Sequence, residues 1–398
     1  MTTTLATALQ TGDSGYEVGQ AAARAAFHKL GLPSADLCVV FVSQKYDIPE
    51  VLKGIRSVVG DATQIVGSSS SGEFTDVAVS EASVALGLIS SDTYRFKVRG
   101  MIGLKDNVEG IFPKLREAFD DFMTNEGETS VIMMVDGLAG NGEEAILSAS
   151  SVFGFDAKIV GGAAGDDLAF KETFVIANDE ILSDAVSLCV AKGPSHFFTG
   201  VKHGHTPLSE QMTVTKARGN VLYCVDGKNA WEVWTETTRE QAKAFGFEVD
   251  ALKSPSDIGS FMLCFELGLE TDDGYKIRVP LSKNEDGSLN FSCIIPEGAS
   301  FRIMQGTKPA QILSAREAAM LAKEGLAGRD IAGALVFDCV CRSLILGDQF
   351  ADGVRAIKEV VGDVPLIGLE TYGEICMDPM RFSGFHNTTS VVVLIPAD

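Results

Sequence analysis

The fold of this chain is decided by three similar stretches: TQIVGSSSSGEF (residues 63–74), AKIVGGAAGDDL (residues 157–168) and DVPLIGLETYGEI (residues 363–375). In each copy a short apolar run ends in a glycine, and an acid follows six residues later. These positions are Gly67 and Glu73, Gly161 and Asp167, and Gly368 and Glu374. Because the same pattern recurs, we interpret it as one supersecondary unit used three times.

The sequence around each copy repeats as well. Upstream lies an apolar run typical of a buried strand, followed by a helical pattern that closes on Gly60, Gly154 or Gly362. We predict that these glycines end helices, because glycine adopts positive φ angles at little cost. Downstream, each copy meets another apolar run. The predicted unit is strand, helix, strand, glycine loop and strand, and the predicted fold class is α/β with mixed sheets flanked by helices.

The length of the chain predicts two domains. It has 398 residues, whereas one domain usually holds roughly 100–200. We predict a helical lead-in over residues 1–34, a first domain with two repeat units over residues 35–225, and a second domain over residues 226–398. The second domain contains one clear unit. A degraded further unit is suspected in residues 259–306, which lack the glycine and the acid.

The charge limits the classes of partner. The chain has 54 acidic residues and 33 Lys or Arg, so its net charge is −21. Nucleic acids and anionic membrane surfaces require clustered basic residues, and we expect neither as a partner. The N-terminal sequence has no secretion signal, and no run of about 18 apolar residues predicts a membrane span. We therefore expect a cytoplasmic protein.

Cysteine and histidine offer no clear metal or redox site. The eight cysteines fall mostly in apolar strand patterns, and no CxxC motif occurs. We interpret them as reduced core residues. His203 and His205 could place two imidazoles on one face of a strand, but no third ligand is evident, and a polar turn before Pro207 is favoured. We expect no metal and no cofactor.

The glycine loops are the predicted ligand-binding elements. A glycine after a buried strand lets a ligand approach backbone N–H groups. A phosphate-binding loop is not favoured, because no lysine follows as in a Walker loop and GxGxxG is absent. The acid in each loop would also repel phosphate, so a ligand with an ammonium group or hydroxyl groups is favoured. The predicted binding residues of the first two loops are Gly67, Ser68, Ser69, Gly72, Glu73, Gly161, Gly162, Gly165, Asp166 and Asp167. The alternative is a repeated turn that serves folding only.

The third copy adds candidates from a neighbouring strand. The run VFDCVCRSLILGD puts Cys339 and Arg342 beside the strand that feeds the third loop, whose predicted binding residues are Thr371, Tyr372, Gly373 and Glu374. Arg342 could clamp a carboxylate and Glu374 an ammonium, which suits a free amino acid. An internal salt bridge between Arg342 and Glu374 is the alternative.

Cys339 also raises the possibility of catalysis. A nucleophilic cysteine needs a nearby base to form its thiolate. Only His386 lies in the same predicted domain, and nothing in the spacing connects it with Cys339. Catalysis at Cys339 is therefore the less favoured interpretation.

The chain resembles the FIST family, the F-box and intracellular signal transduction proteins. The resemblance spans residues 35–380 and rests on the three loops together with the motifs KHGHTPL, TVTKARGN, VDGKNAWEVW, IPEGASFRIM and CVCR. It implies FIST N-terminal and C-terminal domains in tandem, in a sensory module that binds small ligands such as amino acids. Carried over to this chain, the ligand loops are residues 67–73, 161–167 and 368–374, with Arg342 from the CVCR motif.

From these observations we expect a small-ligand-binding sensory protein of intracellular signal transduction, not an enzyme. The expected ligand is an amino acid or a similar small zwitterion. The sequence shows no kinase, cyclase or methyl-accepting segment, so a separate signalling protein or a homo-oligomer is expected to supply the output. Two alternatives remain open: an enzyme acting on a small amide or amine through Cys339 or a loop carboxylate, and an interaction scaffold without a ligand.

Overall fold

The structure is a computed structural model that describes residues 2–124, 126–271, 274–378 and 384–398. The elements up to residue 203 are β1 (Thr3–Gln10), α1 (Gly15–Leu30), β2 (Leu37–Ser43), α2 (Ile48–Val59), β3 (Gln64–Ser70), β4 (Glu73–Thr75), β5 (Val79–Ser80), β6 (Val84–Ser91), β7 (Arg95–Ile102), α3 (Leu104–Glu117), α4 (Asp120–Met123), β8 (Glu128–Val135), α5 (Gly142–Phe153), β9 (Lys158–Ala163), β10 (Val175–Ala177), β11 (Glu180–Leu182), β12 (Ala185–Gly193) and β13 (Phe198–His203).

The elements that follow are β14 (His205–Pro207), β15 (Met212–Arg218), β16 (Val221–Val225), β17 (Lys228–Asn229), α6 (Ala230–Ala244), α7 (Pro255–Cys264), β18 (Phe265–Thr271), β19 (Gly274–Arg278), β20 (Pro280–Lys283), β21 (Leu289–Phe291), β22 (Ser300–Gly306), α8 (Lys308–Gly325), β23 (Ile331–Cys339), α9 (Val340–Leu346), α10 (Phe350–Val361), β24 (Leu366–Thr371), β25 (Glu374–Met377), β26 (Phe385–His386) and β27 (Thr389–Pro396). Within the described ranges, no helix is both long and apolar enough to cross a membrane.

Three six-stranded sheets share one arrangement. The first sheet has the order β1-β6-β2-β3-β10-β11, the second β7-β12-β8-β9-β25-β26, and the third β13-β27-β23-β24-β4-β5. In each sheet the two central strands are parallel: β2 with β3, β8 with β9, and β23 with β24. The flanking strands are antiparallel, as in the pairing of β2 with β6. The predicted α/β class with mixed sheets flanked by helices is confirmed.

The strand after each glycine loop pairs in a sheet other than its own. Strand β4 leaves the first sheet for the third, β10 leaves the second for the first, and β25 leaves the third for the second. The register is equivalent in all three places, because the crossing strand lies opposite Gly368, Gly67 and Gly161 respectively. The three sheets are therefore linked in a closed ring.

The inner faces of the three sheets meet in one core. Phe41 of the first sheet packs edge to face on Phe337 of the third, with ring centroids 6.3 Å apart, and Met134 of the second sheet belongs to the same cluster. The outer faces are covered by α1 and α2, by α3 and α5, and by α8 and α10. Both faces of the central strands are buried, which explains why the sequence shows continuous apolar runs rather than alternation.

A fourth sheet is separate from this ring. Its strands follow the order β19-β18-β22-β15-β16-β21-β20 and share a core with α6 and α7. The described pairs in this sheet are antiparallel, so the suspected degraded unit in residues 259–306 does not show the parallel pair of the other units. The domain boundary near residue 225 stays a prediction. Strands β13 and β27, which pair with each other, lie on opposite sides of that boundary.

Helix ends follow the sequence prediction. Gly60, Gly154 and Gly362 directly follow α2, α5 and α10, with φ of +73°, +100° and +91°. Their ψ angles are extended rather than left-handed helical, a region open almost only to glycine. Of the predicted helical lead-in over residues 1–34, the part from Gly15 to Leu30 is helical, as α1. The segment before it, interpreted as part of a helical lead-in, instead forms strand β1 at the edge of the first sheet.

Candidate functional site

The first glycine of each loop lies inside a buried strand. A Cβ atom added at Gly67 would stand 1.8 Å from the carbonyl oxygen of Val40, and one at Gly161 would stand 1.8 Å from that of Met133. At Gly368 the added atom would stand 2.3 Å from the ring of Phe74. The space beside these glycines is thus filled by the protein itself. Their small size serves the packing of neighbouring strands.

The serines of the first loop are also enclosed. Ser68 and Ser69 are fully buried in β3. The Ser69 hydroxyl accepts a hydrogen bond from the N–H of Phe174 at 2.9 Å. The Ser68 hydroxyl has no hydrogen-bond partner in the described part of the chain. Gly72 approaches the carboxylate of Glu370 so closely that an added Cβ would lie 2.6 Å from it.

The Glu73 side chain forms hydrogen bonds to two neighbouring segments of the chain. Its side chain is fully buried at the start of β4. One carboxylate oxygen accepts a hydrogen bond from the Ser70 hydroxyl. The other accepts from the N–H of Ser83 at 3.0 Å and from its hydroxyl at 2.6 Å. Glu73 therefore ties the first loop to the beginning of β6.

Glu374 makes the equivalent contacts at the start of β25. It is also fully buried. It accepts from the Thr371 hydroxyl at 2.6 Å, and from the N–H and hydroxyl of Thr389 at 3.1 Å and 2.7 Å. Burial raises the pKa of Glu73 and of Glu374 to about 7, against the opposing effect of these hydrogen bonds.

We expect these raised pKa values to make stability depend on pH. The ordinary value is 4.5, so the folded state binds the proton more tightly than the unfolded chain. Each group's contribution is complete below about pH 4.5 and is lost as the pH rises through 7, on the order of 3 kcal/mol per group. Glu374→Gln should flatten this part of the profile. Urea unfolding at pH 5, 6, 7 and 8 would measure it, with the half-exposed Glu359→Gln as control; an unchanged slope in Glu374→Gln would contradict it.

The second loop differs from the other two. Strand β10 begins only at Val175, which lies opposite Ser68, whereas Glu73 lies opposite Leu369 in the equivalent pair. Asp167 therefore does not occupy the place of the other two acids, despite its equal spacing from the glycine. It is exposed in a longer loop, residues 164–174, and accepts a hydrogen bond from the Ser43 hydroxyl at 2.9 Å.

Arg342 is held by protein groups. It is fully buried. Its guanidinium donates to Asp338 Oδ1 at 2.7 Å, to the side-chain and backbone oxygens of Gln311 at 2.6 Å and 3.0 Å, and to the Ser314 hydroxyl at 2.8 Å. The partners found for Glu374 are hydroxyls and an N–H, so the alternative salt bridge between Arg342 and Glu374 is not formed. The zwitterion clamp drawn from these two residues stays a prediction.

Cys339 lies in an environment that disfavours its thiolate. It is buried, and burial, together with the neighbouring Cys341 thiol, raises its pKa well above the usual range. His386, the histidine considered as its base, lies 3.2 Å from the backbone oxygen of Cys376 through Nε2. A thiol with a raised pKa is a poor nucleophile.

His205 of the HxH motif is buried, and its Nδ1 lies 3.4 Å from Nε2 of Gln311. Its Nε2 lies 3.7 Å from Glu266, and burial lowers its pKa well below the usual value. Among the residues with described positions, no group of three His, Cys, Asp or Glu side chains could hold a metal ion.

An apolar cavity of about 450 Å³ opens where the ends of several strands meet. Residues just after β8, β23 and β24 form one side, and the fourth sheet forms the other. In α/β sheets, ligands bind beyond the carboxyl ends of the strands. The aromatic residues that line the cavity are Phe170, Phe291, Tyr372 and Phe385, and its charged residues are Asp136, Glu143 and Glu144. Of the predicted binding residues, Tyr372 lines this cavity.

A second cavity, of about 340 Å³, adjoins the first and shares Glu143, Glu144 and Ile294 with it. Lys276 and Arg278 also line it. Glu143 accepts hydrogen bonds from Lys276 at 2.6 Å and from Arg278. Burial alone would raise the pKa of Glu143, but the two cations outweigh burial and lower it. The two cavities together combine apolar walls with charges of both signs.

Arg278 has one hydrogen-bond donor that is not used within the described structure. Only 2% of its surface is exposed, and its Nε–H has no hydrogen-bond partner among the described residues. A buried donor without a partner is costly. Arg278, Lys276 and Glu143 were not among the residues predicted from the sequence. The spacing of two in YKIRVPL, which puts Lys276 and Arg278 on one face of a strand, was the available signal.

This combination of a mixed α/β fold and a partly enclosed cavity is typical of proteins that bind small molecules. Comparison with family models gives the family: the FIST N domain model matches residues 36–228, and the FIST C domain model matches residues 234–377. The chain belongs to the FIST family, whose domains are sensory domains of signal transduction.

Two further similarities add little about function. Over 258 residues the chain is 28% identical to the uncharacterized protein MJ1623 of Methanocaldococcus jannaschii, an alignment that covers 60% of this chain and 48% of that protein. The chain thus spans about half the length of this curated relative. The crystal structure of cyanuric acid hydrolase from A. caulinodans aligns over 100% of both chains with 6% identity and a TM-score of 0.39, which is too low to support a functional argument.

Proposed function

We propose that this protein senses a small zwitterion of the amino-acid type that has an apolar side chain, and that the ligand binds in the two adjoining cavities. The observation that carries the proposal is the position of Arg278, Lys276 and Glu143 beside an apolar cavity. The ligand class agrees with the sequence-based expectation. The binding residues differ from those expected, because the charged groups come from β19 and α5.

The larger cavity would receive the apolar side chain. Its volume, about 450 Å³, falls within the range of roughly 300–1,000 Å³ that is usual for small-molecule sites. Its lining is mainly aliphatic and aromatic. Removing an apolar side chain from water supplies binding free energy in proportion to the area buried.

The smaller cavity would receive the charged end. Arg278 and Lys276 can pair with a carboxylate, and the Nε–H of Arg278 would gain the acceptor that it lacks. Glu144 lines both cavities and supplies a negative charge for the ammonium group. Arginine is well suited to this role because its planar guanidinium donates parallel hydrogen bonds to a carboxylate.

Binding would join two parts of the molecule. Tyr372 and Leu344 belong to the region of the third sheet, whereas Leu281 and Phe291 belong to the fourth sheet. A ligand that contacts both sides stabilises the arrangement in which they approach each other. A separate signalling protein that reads this arrangement is the proposed source of the output.

A thermal-shift screen of the whole protein tests the proposal. The panel is L-leucine, L-methionine and L-phenylalanine, with glycine, hexanoate and hexylamine as ligands that lack the side chain or one charge. A ligand present at about 100 times its dissociation constant adds roughly 2.7 kcal/mol to the stability of the folded state. We expect shifts with the three apolar amino acids only.

Two matched variants locate the site. Leu344→Trp places a larger side chain at the wall of the cavity and should abolish the shift. Leu321→Trp changes a similarly exposed leucine on α8, away from the cavity, and should preserve it. No shift with any of the three amino acids, or equal shifts in the two variants, would contradict the proposed function.

A further inference from the structure

The longer second loop covers the apolar cavity. Leu168 and Phe170 of this loop contribute to the lining. Three of its residues adopt positive φ angles although none is glycine: Asp167 at +52°, Leu168 at +62° and Phe170 at +50°. Side chains other than glycine adopt this region only at an energetic cost. Other contacts must therefore hold the loop in this conformation.

One buried carboxylate supplies those contacts. Asp166 is 1% exposed and accepts hydrogen bonds from the N–H groups of Phe170, Lys171 and Glu172 at 2.9, 2.6 and 3.2 Å. It also accepts a hydrogen bond from the Tyr372 hydroxyl. Asp166 thereby fixes both the loop and the orientation of the Tyr372 ring.

Phe170 occupies one face of that ring. The Phe170 and Tyr372 rings are stacked, with centroids 5.0 Å apart and planes inclined by 13°. Phe170 is nevertheless 60% exposed, so it gains little from burial. The Phe170 ring is thus exposed, lies on strained backbone, and covers the face of Tyr372 on which the ring of a ligand could stack.

We propose that the ligand carries a flat, conjugated ring that replaces Phe170 on the face of Tyr372, and that the loop at residues 167–171 moves when it does. This inference rests on the proposed function and narrows its ligand class. The exchange replaces one stacked pair by another and encloses the new ring more fully than Phe170 is enclosed. Movement of the loop relieves its positive φ angles but breaks hydrogen bonds that its N–H groups donate to Asp166. A saturated ring of equal size lacks the stacking contribution.

Calorimetry with two probes tests this inference on the whole protein. L-Phenylalanine and L-cyclohexylalanine have the same carbon skeleton and charges but differ in the flatness and conjugation of the ring. We expect the wild-type protein to bind L-phenylalanine more tightly, and Tyr372→Leu to remove this preference. Phe170→Ala removes the competing ring and should tighten L-phenylalanine binding by about tenfold, the size of one aromatic pair interaction.

The matched control is Phe155→Ala. This phenylalanine is also exposed, at 48%, but it lines neither of the two cavities. We expect its binding constants to stay close to those of the wild-type protein. Trypsin cleavage after Lys171 gives an independent measure of loop movement, and it should become faster when L-phenylalanine is added to the wild-type protein.

Several results would overturn the inference. If Phe170→Ala weakens the binding of both probes, Phe170 is a wall of the site and not a competitor. If the wild-type protein binds both probes equally, or binds L-leucine but not L-phenylalanine, the ring requirement is wrong while the proposed sensing function stands. If no amino acid of the panel binds, the inference and the proposed function both fail.

Discussion

Arg342→Met is expected to lower the free energy of unfolding by about 3–5 kcal/mol, because it leaves a buried carboxylate without its cation. Asp338 is 3% exposed and receives a hydrogen bond from Arg342 at 2.7 Å. Burial already raises the pKa of Asp338, and Arg342 opposes that rise. Without Arg342 the pKa of Asp338 rises further, so the loss of stability should grow with increasing pH. Urea unfolding, followed by circular dichroism at pH 5 and pH 8, measures both effects.

A matched variant separates burial from charge. Arg355 pairs with Asp352 at 2.8 Å, but its side chain is 66% exposed. Surface pairs of this kind contribute roughly 0–1 kcal/mol, so Arg355→Met should be nearly neutral. The double variant Asp338→Asn with Arg342→Met should recover part of the stability, because the uncompensated charge is gone. A loss below about 1 kcal/mol in Arg342→Met would contradict the structural role of Arg342.

Gly67→Ala is expected to prevent folding or to cost more than about 4 kcal/mol. The added Cβ would stand 1.8 Å from the carbonyl oxygen of Val40. Val40 is directly opposite Gly67 in the parallel pair of β2 and β3, and Ile176 of the crossing strand lies on the other side. The overlap is with backbone, so a rotamer change cannot relieve it. Soluble yield and thermal melting by circular dichroism measure the effect.

Gly259→Ala is the control for this substitution. Gly259 lies in α7, and an added Cβ there meets no atom within 4 Å. Alanine is the better helix former by up to about 1 kcal/mol, so this variant should be as stable as the wild-type protein or slightly more stable. A Gly67→Ala protein that folds and melts like Gly259→Ala would show that the two central strands do not approach as closely as described.

The elements of the ring were largely predictable from the sequence because their signals are local. Continuous apolar runs marked β2, β8 and β23, since both faces of these strands are buried. The sheet that each crossing strand joins was not predictable. Strand β4, for example, is only three residues long, and its partner lies far along the chain. Another apolar run, residues 260–264 inside the suspected degraded unit, forms the end of α7. A short apolar run does not distinguish a strand from a buried helix.

The cavities were less predictable than the fold. Equal spacing suggested that Asp167 corresponds to Glu73 and Glu374, but spacing from the glycine does not show where the next strand begins. In the second copy that strand begins at Val175, and the intervening loop covers a cavity. The contact between Glu143 and Arg278 joins two distant segments. Its partners come together only through tertiary structure.

The closed exchange of strands has a consequence for synthesis of the chain on the ribosome. Phe74 emerges early, but its partner Gly368 belongs to β24, and the third sheet also needs β27 near the C-terminus. Until then β4 pairs only with the short β5 and lacks its partner β24 in the third sheet, and β9 lacks the antiparallel partner that β25 provides. Distant pairings form slowly, and unpaired strand edges promote association between chains. The nascent protein therefore depends on protection of these edges until β24, β25 and β27 have been synthesised.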